Sequence, residues 1–160
     1  MLTVRVDESK CTGCGLCKAV CSVSHGLHSD KKRISDLPKA LLFIEPEAEG
    51  SSISICRHCE NPVCVNACVA QALKVDIGKG AVIVNKDKCV GCWSCIMECP
   101  FGALRIHDTA FKCDGCGDWD KPMCASFCPT GALTAQRSPI GMTSSRRREK
   151  TIISGYKGVK

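Results

Sequence analysis

Sixteen of the 160 residues are cysteine, and they stand in four groups of four. The groups are Cys11, Cys14, Cys17 and Cys21; Cys56, Cys59, Cys64 and Cys68; Cys89, Cys92, Cys95 and Cys99; and Cys113, Cys116, Cys124 and Cys128. The first and third read C-x2-C-x2-C-x3-C. Thiolates are soft anionic ligands, and three of them within seven residues can converge from one tight loop onto three corners of a cubane. That spacing is the one expected of a [4Fe–4S] site. The fourth cysteine, four residues on, lies too far round the chain to close the same cube easily.

Other uses of cysteine fit less well. Disulfide scaffolds are usually short and secreted. This chain begins Met1-Leu2-Thr3-Val4-Arg5-Val6-Asp7 with no apolar signal region, so a cytoplasmic setting is expected. Zinc sites usually pair two short knuckles across a long spacer, whereas each group here keeps its own third and fourth cysteine nearby. No apolar run approaches the ~18 residues of a membrane span. Aromatic residues make up only 4% of the chain. A chain so poor in core material depends on ligand binding for folding free energy.

The net charge of +6 counts every cysteine as a neutral thiol. An oxidised [4Fe–4S] unit with four thiolates carries about −2, so four would contribute about −8 and leave the loaded protein slightly acidic. Positive charge is concentrated at one end. Residues 137–160 hold seven Lys or Arg (Arg137, Arg146, Arg147, Arg148, Lys150, Lys157, Lys160) against Glu149, while residues 1–136 hold fifteen of each sign.

The elements that must position these cysteines show an internal repeat. The chain reads Cys68-Val-Ala-Gln-Ala72-Leu73, Cys99-Pro-Phe-Gly-Ala103-Leu104 and Cys128-Pro-Thr-Gly-Ala132-Leu133. Pro100 and Pro129 suit the first position of a short helix whose N–H groups would face an anionic cluster; a plain proline turn is the alternative. Thr3–Val6 and Val82–Asn85 read as strands leading into Cys11 and Cys89. Residues 75–81 read as a hairpin with a glycine turn. Leu41–Ile44 and Ile53–Ile55 form two further strands, and from Ser138 the chain reads as a basic tail.

The second and third groups flank the hairpin and form one unit, roughly residues 53–107. The first group has the strand lead-in but no Ala-Leu exit, and the fourth group has that exit, so these two complete each other. Crossing the fourth cysteines, as two-cluster ferredoxins do, gives four ligand sets. They are Cys11, Cys14, Cys17 with Cys128; Cys113, Cys116, Cys124 with Cys21; Cys56, Cys59, Cys64 with Cys99; and Cys89, Cys92, Cys95 with Cys68. The expected fold is α+β: two bacterial-ferredoxin-like units, one nested within the other, with short helices and small antiparallel hairpins. Residues 1–35 and 108–136 make the outer unit, 36–52 an insertion hairpin, 53–107 the inner unit and 137–160 the tail.

Cys56-Arg-His-Cys59-Glu-Asn-Pro-Val-Cys64, Lys112-Cys113-Asp-Gly-Cys116 and Pro122-Met-Cys124 carry a resemblance that covers residues 3–136. The chain resembles the four-cluster iron–sulfur subunits that accompany molybdenum, tungsten and nickel oxidoreductases. These serve dimethyl sulfoxide reductase, formate hydrogenlyase, tungsten aldehyde oxidoreductase and carbon monoxide dehydrogenase. The short length favours the last two types. The resemblance implies the same nested pairing. Ser22 and Val69 depart from it, since proline often follows the cysteine there, and only seven residues separate Cys116 from Cys124.

The function expected is a non-catalytic relay of electrons through four [4Fe–4S] clusters. Its partners would be a metal-containing oxidoreductase subunit and a second redox protein such as a hydrogenase, flavoprotein or ferredoxin. A zinc-stabilised nucleic-acid or protein-interaction module and a free polyferredoxin are the alternatives. His25, His28, His58 and His107 read as loop or surface residues, and Trp93 as packing beside a cluster. The arginine run lacks the aromatic interleaving of a nucleic-acid site, so protein docking or self-association is the expected use of the tail. No catalytic triad, phosphate loop or dinucleotide fingerprint is present.

Overall fold

The computed structural model of the chain describes residues 2–27, 37–48, 50–117, 119–138 and 140. Among these, four antiparallel strand pairs surround four helices. β1 (Leu2–Val6) pairs with β8 (Leu133–Arg137), Val4 opposite Ala135. β2 (Leu42–Glu47) pairs with β3 (Gly50–Ile55), and β4 (Leu73–Asp76) with β5 (Ala81–Val84). β6 (Arg105–Ile106) and β7 (Ala110–Phe111) form the shortest pair. β1 and β5 are rich in β-branched residues (Thr3, Val4 and Val6; Val82, Ile83 and Val84), which suits a partly covered hairpin.

The helices are α1 (Leu16–Gly26), α2 (Val63–Asn66), α3 (Ser94–Met97) and α4 (Met123–Ser126). They carry the third cysteine of each group: Cys17, Cys64, Cys95 and Cys124. α1 packs on α4, and α2 on α3. The helix expected after Pro100 and Pro129 is absent: both begin turns. Its absence follows from the next residues, Gly102 and Gly131, whose φ values of +53° and +68° are left-handed and end any right-handed helix. The prolines that do precede helices are Pro62 and Pro122.

Seven of the twenty buried apolar side chains among the described residues are cysteines: Cys17, Cys21, Cys56, Cys95, Cys113, Cys116 and Cys124. The rest are aliphatic, chiefly Leu42, Ile53, Ile55 and Leu133 in one cluster and Leu73, Val82 and Leu104 in another. The interior is therefore organised around sulfur. Hairpin β2–β3 is held near its open end by two contacts. The Ile53 N–H donates to Glu8 at 2.8 Å, and Arg105 stacks 4.2 Å from the centre of the Phe43 ring. Ser138, where the tail was expected to start, is buried, and its hydroxyl donates to the Gly80 carbonyl at 2.5 Å. Arg146, Arg147, Arg148, Lys150, Lys157 and Lys160 lie outside the described residues.

Candidate metal centres

Each group opens with a C-x-x-C loop whose third position is left-handed. Gly13, Gly91 and Gly115 take φ of +68°, +67° and +78°, and His58 takes +48° in the second group. This conformation turns the N–H of residue three back on the first cysteine. Gly13 donates to Cys11 Sγ and Gly115 to Cys113 Sγ, each at 3.4 Å. Glycine adopts the region freely; other residues pay about 1–2 kcal/mol.

The repeated alanine and leucine at the exits now acquire a physical role. Ala72 N–H donates to Cys68 Sγ at 3.2 Å, and Ala103 N–H to Cys99 Sγ at 3.5 Å. Burial works to raise the Cys128 thiol, but the Leu133 N–H first, then Thr130 and the Ala132 N–H, hold it below the usual range. The three alanine side chains are buried, as are Leu73, Leu104 and Leu133, which complete the core behind the sulfurs. The first group has no such exit. Its Cys21 Sγ accepts instead from Leu41 N–H at 3.3 Å, twenty residues along the chain. Donors of this kind suit an anionic sulfur and tune a bound cluster.

The thiols meet across groups. One cavity is lined by Cys11, Cys14, Cys17 and Cys128, and another by Cys68, Cys89, Cys92 and Cys95. Cys124 is pushed up to about 12 by burial and then by Cys116 and Cys21. Cys64 is pushed up to about 11 by burial, with Cys56 and Cys99 among its neighbours. Electrostatic influence also runs between these quartets: burial first of all raises the Cys124 and Cys113 thiols, and Cys17 adds to the first and Cys56 to the second. Cys21, Cys113, Cys116 and Cys124 are all buried, whereas Cys14 and Cys92 are exposed.

The histidines divide. His107 is exposed beside Asp108, and His28 lies outside the described residues. His25 is half-buried; its Nε2 bonds Asp114 at 3.1 Å and its Nδ1 bonds the Cys21 carbonyl at 2.7 Å. Asp114 and then Cys21 push it up to about 11, so it stands as a cation beside Cys116. Burial works against ionising Asp114, but His25 and the Cys116 N–H hold its carboxyl below the usual range. His58 corrects the surface reading outright. It is 1% exposed, and burial, reinforced by Lys112, lowers it to about 3. A signal was there to be read: His58 fills the C-x-x-C position that the other three groups give to glycine. Trp93 is 56% exposed at φ +69° and lines the cavity of Cys68, Cys89, Cys92 and Cys95.

Cysteines converging in fours, with N–H groups aimed at sulfur and a buried imidazole nitrogen left unpaired, fit [4Fe–4S] clusters. Loops and donors of this kind define an iron–sulfur electron-transfer protein. Residues 52–138 match the family model described as a 4Fe-4S dicluster domain, and residues 3–26 match a 4Fe-4S binding domain. Electron transport protein HydN of Escherichia coli strain K12 is 32% identical over 92% of this chain and 95% of its own. Putative electron transport protein YsaA of the same strain is 33% identical over 79% and 84%. Protein NrfC, again of that strain, is 34% identical over 80% of this chain and 61% of its own. The chain belongs to the 4Fe-4S dicluster family of ferredoxin-like electron-transfer proteins. It carries [4Fe–4S] clusters, and its sixteen cysteines are the number that four require. No helix among the described residues is long and apolar enough to cross a membrane.

Proposed function

We propose that the chain is a non-catalytic wire: a subunit that holds four [4Fe–4S] clusters in a row and relays electrons between a metal-containing oxidoreductase and a second redox partner. When bound, each cluster takes up and returns one electron. The ligand sets are the crossed ones given above, in the order Cys11–Cys14–Cys17–Cys128, then Cys113–Cys116–Cys124–Cys21, then Cys56–Cys59–Cys64–Cys99, then Cys89–Cys92–Cys95–Cys68. The observation that carries this reading is the pattern of exposure. The two exposed cysteines, Cys14 and Cys92, belong to the two terminal sets, while one inner set is wholly buried.

The nested division into residues 1–35 with 108–136, an insertion at 36–52, an inner unit at 53–107 and a tail at 137–160 is part of the same proposal. It draws support from β1 pairing with β8 and α1 packing on α4 across the intervening chain. The Cys92 end is ringed in sequence by exposed apolar residues, Val69, Val90, Trp93 and Met97, which suits contact with a partner protein. The partner we favour is a tungsten aldehyde oxidoreductase or carbon monoxide dehydrogenase type of subunit, with a hydrogenase, flavoprotein or ferredoxin beyond it, all in the cytoplasm. Stopped-flow mixing with a candidate partner and its substrate tests the reading at the cluster absorbance band. Reduction within the turnover time is expected, with no turnover by the chain alone. Clusters that stay oxidised through many turnovers would exclude the wire for that partner.

A further inference from the structure

The loop between Cys56 and Cys59 breaks the rule of the other three. Where they place glycine it holds His58 at φ +48°, in a region that larger residues seldom occupy and that often marks a functional position. Its Nδ1 accepts the Val82 N–H at 3.1 Å. The Val82 carbonyl takes the ammonium of buried Lys112, which also donates to the Cys113 carbonyl at 2.8 Å. An Nδ1 that accepts carries no hydrogen, so the ring is neutral and its single hydrogen sits on Nε2. That Nε2 is buried without a partner among the described residues, a condition shared only by Thr3 Oγ1. Buried donors of this kind call for an acceptor that the described residues do not supply.

We propose that the Nε2–H of His58 donates to sulfur of the [4Fe–4S] cluster held by Cys56, Cys59, Cys64 and Cys99, and thereby raises the reduction potential of that one cluster. This rests on the ligand set proposed above. A hydrogen bond to cluster sulfur stabilises the more negative, reduced state. The glycines at the matching positions of the other loops have no side-chain donor, so the effect is confined to the second. Uptake of the electron moves no proton: Nδ1 stays occupied by Val82, and the hydrogen stays on Nε2. The backbone strain and the unpaired donor then have one common purpose, in the loop between Cys56 and Cys59.

Two substitutions separate this from a purely structural role. His58→Asn keeps an acceptor for Val82 and deletes the Nε2 donor; His58→Gln keeps a donor near Nε2 and loses the acceptor. Electron paramagnetic resonance titration of the full, reconstituted chain reads the potentials. His58→Asn is expected to disfavour reduction of one cluster about tenfold, or about 59 mV for a one-electron couple, with His58→Gln near the parent. Equal potentials in His58→Asn and parent, or a larger shift in His58→Gln, would overturn the proposal. A measurement that leaves residue 58 intact guards against poor assembly. In 15N-histidine-labelled His25→Gln protein, a 15N coupling to a reduced cluster in pulsed resonance supports the bond, and its absence refutes it. Iron and sulfide analysis of the same samples separates failure of the hydrogen bond from failure of the four-cluster reading, which would show as missing iron.

Discussion

In the proposed pairing Cys21 completes a site with Cys113, Cys116 and Cys124, which stand about a hundred residues further along the chain, so replacing it with alanine should empty that site. Cys21 is 5% exposed, and its sulfur faces Leu41 N–H, Cys116 and Cys124. Its own loop partners Cys11, Cys14 and Cys17 face Cys128 instead. A cluster needs four ligands, so Cys21→Ala should cost about four of roughly sixteen iron atoms, a quarter of the total. Exposure tells which quarter. The quartet containing Cys21 is the only one whose four cysteines are all buried, whereas the quartet of Cys11, Cys14, Cys17 and Cys128 includes exposed Cys14. Iron removal by a chelator should therefore be multiphasic in the parent, with about a quarter of the iron leaving in the slowest phase. Cys21→Ala should abolish that phase, and Cys128→Ala should retain it while losing a fast one. If Cys128→Ala lost the slow phase and Cys21→Ala a fast one, each group would be closing its own cluster, and the crossing would be wrong.

The anaerobically purified chain should contain about sixteen iron and sixteen sulfide, and elemental analysis that found stoichiometric zinc without sulfide would overturn the cofactor assignment for this chain. Stripping the iron should collapse the circular dichroism signal, because seven of the twenty buried apolar side chains are cysteines. Cluster assembly should release protons at neutral pH and become more favourable as pH rises. Cys124 at about 12 and Cys64 at about 11 hold their protons in the metal-free chain, and thiolate ligation must displace them; an indicator dye that registered no release would contradict these shifts. Truncation after Ile140, which spares the buried Ser138 contact, should leave all clusters in place. It should also weaken partner association most at low salt, since the chain beyond it holds six Lys or Arg and one Glu; sedimentation with partner at two salt concentrations would check this.

The grouping of the cysteines in fours and the hairpins were legible because both rest on local rules. The strand-like runs at residues 3–6, 41–44, 53–55 and 82–85 overlap β1, β2, β3 and β5, and the residues 77–80 turn closes β4 on β5. The Ala-Leu repeat was visible, but its meaning was not. A repeat shows that a position is constrained, not that its N–H meets a sulfur four residues back. The proline helix failed for a related reason: Pro at a helix start is a sound local preference, and the left-handed residue before each alanine overrode it. Leu41 and His25 with Asp114 were hidden because their partners lie twenty or more residues away in sequence, and the break in the glycine pattern marked His58 without revealing its partner Val82.

The departures from the repeat are not scattered. Three loops use glycine at the C-x-x-C turn, and the exception is His58, beside Cys56 and Cys59. Three groups close with alanine, and the exception is the first, whose Cys21 takes Leu41 instead and sits among Cys116 and Cys124. Both exceptions therefore touch the two middle quartets of the proposed row, as do the buried Lys112 and the His25–Asp114 pair. The terminal quartets reach solvent through Cys14 and Cys92, and the departures beside them, Val69 and Trp93, are exposed apolar residues rather than buried polar ones. A row made by duplicating one loop would offer four similar potentials. Among the described residues the buried histidine and the buried lysine, His58 and Lys112, both stand at the inner joint, and they are the means by which this chain can make the middle of the row differ from its ends. An inner cluster with a distinct potential in the titration, and end clusters resembling each other, is the pattern that follows; four indistinguishable waves would leave these substitutions without electronic consequence.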